Sequence, residues 1–132
     1  MSRAGSGGQL FTETVGDVVC IDGVWLGGGS ASNCTRVSGT GIDSVNYNSA
    51  TGRYLITLTG RYQVLEAQCY SVAAATGAAT SFMARPVVGG YSASAGTLDI
   101  NVTDLATPTN HDLAATEQIW ISLKLRAEGV YT

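Results

Sequence analysis

His111 is the only histidine in the chain, and it lies in the turn-rich stretch Thr107-Pro108-Thr109-Asn110-His111-Asp112. A loop histidine with no second histidine or cysteine close by in sequence is a poor start for a metal site. It is equally poor as the base of a hydrolase, because no G-x-S-x-G elbow exists to present a nucleophile. It therefore reads as a solvated loop residue. The three cysteines, Cys20, Cys34 and Cys69, are far apart in sequence, whereas zinc sites bring their ligands in close pairs. A free cysteine behaves as a small buried hydrophobe, and that is the expectation for all three. An odd count does not read as a disulfide framework, although a Cys20–Cys34 bridge stays open. Carboxylates such as Glu66 and Asp99 read as single exposed partners, and nothing marks an acid–base pair of the glycosidase kind. Gly27-Gly28-Gly29 lacks the lysine and following helix of a phosphate loop. The expectation is a protein with no catalytic residues, no metal and no cofactor.

Composition points toward partners instead. The chain has 132 residues, enough for one domain with its own core. Charged residues are 13% of it, about half the usual share of roughly 25%. A lone soluble domain needs charge to keep its surface solvated and self-avoiding. One that replaces charge with Gly, Ala, Ser and Thr reads as burying much of its surface against other proteins, and the bland alternative is a neutral, Ser/Thr-coated monomer. The net charge is −3, and the seven Lys and Arg residues are scattered one at a time. Nucleic-acid binding needs clustered cations and is disfavoured. No apolar run is long enough for a membrane span. Met1 to Gly8 is not followed by the apolar core of a signal peptide, so synthesis in a cytoplasm is expected. Without secretion the sequons Asn33-Cys34-Thr35 and Asn101-Val102-Thr103 carry no meaning.

The elements that would position any site read as strands. Residues 1–14 are rich in Gly and Ser, with Leu10 and Phe11 as their apolar anchors: a frayed tail, or an arm that orders on a neighbouring subunit. From residue 15 to residue 132 a single domain follows. Val15 to Leu26 contains two apolar runs around Asp22-Gly23, a tight-hairpin signal. Gly27 to Asn33 is a loop, and Thr40 to Asn48 carries β-favouring residues. Arg53 to Thr59 alternates, with Tyr54, Ile56 and Leu58 on one face. Val64 to Val72 follows. Phe82 to Val88 comes next, with Pro86 implying an edge or a bulge and Gly89-Gly90 ending it. Ala73 to Ala79 reads as a loop. Thr97 to Thr103 alternates without a flaw. Ile119, Ile121, Leu123 and Leu125 form one face of the final strand, and Trp120 stands on the other, as a second buried surface within the subunit or as a subunit interface. The sum is an all-β fold, a single sandwich of about eight antiparallel strands with a flexible N-terminal arm.

The segment Gly41-Ile42-Asp43-Ser44-Val45, a turn, then Gly52-Arg53-Tyr54-Leu55-Ile56-Thr57-Leu58-Thr59 resembles a pattern common in tailed-bacteriophage structural proteins. The ending is similar to that of the same domain, with Gly96 to Val102, a polar loop, and then Ile119 to Leu125. The resemblance spans roughly residues 41–126 and consists of turns and alternation. It implies a jelly-roll-like domain of the sort found in capsid cement (decoration) proteins and at tail-fibre tips, homotrimeric in both settings. A fibre protein carries a long shaft before its tip, whereas here only a short arm precedes the domain. The resemblance therefore implies a trimeric cement protein that binds the major capsid protein on the outer surface of the virion, and the residues themselves, not the resemblance, make Leu10, Phe11 and Trp120 the interface candidates. The alternative it leaves is a trimeric tail-fibre or tail-tip domain that binds a host receptor or glycan. It carries over no catalytic residue.

Overall fold

A computed structural model describes residues 18–73 and 82–127. None of these residues is helical, and they build nine strands: β1 (Val18–Leu26), β2 (Thr35–Gly39), β3 (Ile42–Tyr47), β4 (Arg53–Leu58), β5 (Val64–Ala73), β6 (Phe82–Ser92), β7 (Thr97–Asp104), β8 (Thr109–Asn110) and β9 (Gln118–Arg126). Every pairing is antiparallel. A four-stranded sheet runs β2-β1-β9-β5, and a five-stranded sheet runs β3-β4-β7-β6 with β8 beside β7.

Period-two alternation turns one face of each sheet inward. On β9 the buried positions are Ile119, Ile121, Leu123 and Leu125, and on β4 they are Tyr54, Ile56 and Leu58. Leu98, Ile100 and Val102 of β7 complete a single core with Ile21 and Trp25 of β1. Burying side chains of this size stabilises the fold by about 1.5–3 kcal/mol each. The core therefore outweighs any single surface contact. Its edges are closed by specific links. Arg36 on β2 lies 5.3 Å over the Trp25 ring and donates to the Ile42 carbonyl at 2.7 Å, joining the two sheets at one side. The crossing from β2 to β3 needs Gly39 and Gly41, whose φ angles are +97° and +94°. A Cβ on Gly39 would also stand 2.3 Å from the Asp22 carbonyl oxygen.

Four features of the strands and their thiols depart from the sequence reading. Asp22-Gly23 is not a hairpin: β1 runs straight through it, because β1 is an interior strand with β2 on one side and β9 on the other. Gly23 lets Ile42 Cδ1 and the Trp25 indole lie against the backbone, each 3.3 Å from where a Cβ would be. Gly89-Gly90 does not end β6. The register shifts between Pro86 and Tyr91, and the strand resumes to Ser92. That irregularity sits on an edge strand, as Pro86 requires. The short strands β2 and β8 were not expected, since all of their residues are exposed and no apolar alternation marks them. Lastly, Cys20 and Cys69 are exposed, against the expectation of burial, because their strands turn those positions to the outer face. Cys34 is half-buried, and all three thiols are free. The arm of residues 1–14 lies outside the described residues, as does most of the expected Ala73–Ala79 loop.

Candidate functional site

The register of β1, β9 and β5 dictates what the four-stranded sheet shows to its surroundings. One outward row runs Ser38, Val24, Trp120, Ser71, and the next runs Asp22, Ser122, Cys69. Trp120 is 53% exposed, flanked by residues too small to cover it. Val24, its direct cross-strand neighbour, is only 8% exposed although it points outward. The result is a hollow of about 440 Å³ with Trp120 and Val24 as apolar wall and Gly23, Ser38, Gly39 and Ser71 among its lining. A second hollow continues it past Cys69 and Cys20 toward Lys124. An indole exposed over small, uncharged neighbours has area to bury and little hydration to lose.

Charge on this face is sparse. Asp22, midway along β1, lines the hollow itself, while Glu66 on β5 accepts from Arg126 Nε at 2.5 Å and faces Lys124 Nζ at 3.7 Å. The Arg126 hydrogen bond, reinforced by the charge of Lys124, holds the Glu66 carboxyl below its usual range. Both are surface pairs whose energetic worth is small.

The segment that carries His111 serves a different purpose. His111 is not a solvated loop residue. Its Nε2 lies 2.8 Å from Glu117 Oε1, and its ring stacks on Phe82 with centroids 4.2 Å apart. Glu117 is 6% exposed and also accepts from the Ala114 amide at 2.8 Å. Asp112 accepts from the Gly52 amide at 2.7 Å and the Ala31 amide at 3.0 Å, and the Leu113 amide donates to the Tyr54 hydroxyl at 2.7 Å. Burial pushes the Tyr54 phenol up and the Cys34 thiol up to about 11. Every one of these groups satisfies backbone or a neighbour, so the segment 111–117 is a clasp between the sheets. Among the described residues no group of three or more His, Cys, Asp or Glu could hold a metal ion. Asp99 is likewise no lone exposed group: it accepts from Asn48 Nδ2 at 2.6 Å and lies 3.9 Å from Arg53 Nη2.

Of the three residues read as interface from sequence, Trp120 lines the hollow, while Leu10 and Phe11 lie outside the described residues. Sequence reasoning missed Val24 and the small residues around Trp120. Their alignment depends on the β1–β9–β5 register, and no single strand displays it. Among the described residues no helix is long and apolar enough to cross a membrane. Comparison with protein-family models, curated proteins and solved structures finds no match to this chain.

Proposed function

We propose that this chain is a non-enzymatic structural protein that binds other protein surfaces, as a homotrimeric cement protein on the outside of a viral capsid. The observation that carries the reading is the outer face of the four-stranded sheet, where Trp120 rises from a floor of small residues. A second copy of the chain is the occupant that suits it. The face bears both Asp22 and Lys124 along its hollows, so each copy offers charge of either sign to the next. The low charge content of the whole chain fits the same account. A trimer would engage the major capsid protein at several sites at once, so that modest contacts give high avidity. The working place would be the outer capsid surface after synthesis in a host cytoplasm, without nucleic acid, membrane, metal or cofactor in the function.

Light scattering of the isolated protein, with imaging of particles that carry it, tests this reading: trimers on the particle support it, and a monomer in both settings ends it. The role given to the arm is tested separately by deleting residues 2–11. Loss of particle binding by a protein that still folds assigns attachment to Leu10 and Phe11, and unchanged binding removes them from the interface.

A further inference from the structure

One segment of β6 leaves its sheet. Pro86 pairs with Ile100 and Tyr91 with Leu98, so Val87, Val88, Gly89 and Gly90 stand against the single residue Asp99 of β7. The surplus residues form a knob whose shape is fixed locally. Gly89 has a φ of +70°, the left-handed region in which the chain can turn back on itself. A Cβ on Gly90 would stand 2.8 Å from the Val87 carbonyl oxygen, so the two limbs of the knob lie close together. At its foot the ring of Pro86 locks φ, and the Tyr91 hydroxyl donates to the Tyr62 carbonyl. At its tip Val88 is fully exposed. Even a Cβ on Gly89 would meet nothing of this chain within 4 Å.

A bulge and a proline suffice to keep other strands off the edge of a sheet. That purpose gives no reason for an aliphatic tip. A valine held out on a fixed turn is suited to docking, because little freedom is left to lose when it is buried. The hollow of about 440 Å³ beside Trp120 is its counterpart, with Val24 as apolar wall and Gly23 and Gly39 leaving it open. The knob of the same copy does not enter that hollow, since Val88 is fully exposed and does not line it. Charge matches as well as shape. Arg85 stands beside Pro86 at the foot of the knob and is exposed, and Asp22 lines the hollow. Among the described residues neither forms an ion pair.

We propose that the Val88 knob of one copy seats in the Trp120 hollow of the next, with Arg85 facing Asp22 across the rim as a pair still in contact with water. This inference rests on the assembly reading above and deepens it by naming what enters the hollow. Contact between two separate patches, repeated by rotation, closes a ring, which is the form a trimer takes.

Sedimentation of the full chain over a range of concentrations tests it. V88D changes a side chain that touches nothing in its own subunit, so the fold should be kept, as circular dichroism will check. It should weaken self-association at least about tenfold, as loss of an apolar anchor does. An equimolar mixture of V88D with W120K should form a dimer, because the first keeps its hollow and the second its knob. R85E and D22K should each weaken association about two- to fivefold, the range of an exposed ion pair. A chain that carries both changes should regain the affinity of the parent. If W120K breaks the assembly while V88D associates like the parent, another surface fills the hollow: the knob is overturned and the assembly reading stands. A mixture that stays monomeric, or a double charge reversal weaker than either single one, overturns the knob too. A parent chain that does not self-associate in solution also ends it, and ends the assembly reading only if the chain is single on particles as well.

Discussion

The two sheets contribute alike to the core and turn opposite chemistry outward. Behind the four-stranded sheet stand Trp120, Val24, Cys20, Cys69 and small residues, with Asp22 and Lys124 as the charged groups among them. Behind the five-stranded sheet stand Arg53, Asp99, Asn101 and Arg85, with Asn48 bonded to Asp99 and Asn110 to Asn101. Both faces come from strands with the same inward alternation, so the fold does not require the difference. A face that remains in water can leave charged groups such as Arg85 exposed to solvent. A face of exposed indole and small uncharged residues has little to offer water and suits a dry contact with protein. The contrast suits one side of the sandwich to contact with protein and the other to water.

If that division is right, the inner faces should be equivalent and the outer faces should not. Ile56→Ala, from the five-stranded sheet, and Ile121→Ala, from the four-stranded sheet, each empty a core position of 0% and 2% exposure. Both should lose about 2–5 kcal/mol of stability in denaturant titrations. A much smaller loss in only one of them would mean that the two sheets do not share one core.

Trp120→Lys should leave monomer stability nearly unchanged and raise the dissociation constant of the assembled form by at least about tenfold, as expected for an aromatic hot spot. The matched change on the other face, Thr57→Lys, should leave the assembly state alone. Sedimentation of the two variants side by side decides the matter, and equal behaviour erases the proposed asymmetry. The clasp between the sheets should respond differently again. Glu117→Ala strips the Ala114 amide and His111 of their acceptor and should cost about 1–3 kcal/mol in thermal or chemical unfolding without altering assembly.

The smallest effect is one of rates. Cys20 and Cys69 are exposed on the four-stranded face, whereas burial raises the half-buried Cys34 thiol from 9.0 to about 11. Near pH 8 its thiolate fraction is about a hundredfold below that of an ordinary thiol. Mass spectrometry after brief alkylation should find Cys20 and Cys69 modified first, and protected once the protein is assembled. Rapid labelling of Cys34, or labelling of Cys20 and Cys69 that assembly does not slow, contradicts the placement of these thiols.

Much of this architecture was legible beforehand, for a physical reason. A strand with one buried face writes its alternation into the sequence, and β4, β7 and β9 do so with Ile56, Ile100 and Ile121 at their centres. Pro86 announced an irregular edge by its missing donor. Trp120 stood out because it broke the polar side of an otherwise clean stripe. What was illegible depends on neighbours. Whether Asp22-Gly23 turns or continues is decided by β2 and β9, which pair with it on both sides. His111 became a clasp residue through Phe82 and Glu117, which sequence gives no reason to bring to its ring. The Arg53–Asn101–Arg85 row joins three strands whose register no one strand records.

The place of β9 between β1 and β5 has a consequence for how the chain reaches this state. Val18 pairs with Arg126, and Leu26 with Gln118. While the protein is being synthesised, β1 and β5 therefore wait without their shared neighbour, their inward residues uncovered. Pairings this distant in sequence close slowly, and unpaired strands left waiting invite contact with other chains. The polar spacing of β1, with Asp22 and Gly23 at its middle, makes that wait safer than an unbroken apolar strand would. Residues that look like a misplaced turn thus interrupt the apolar run of β1 while β9 is still to be made.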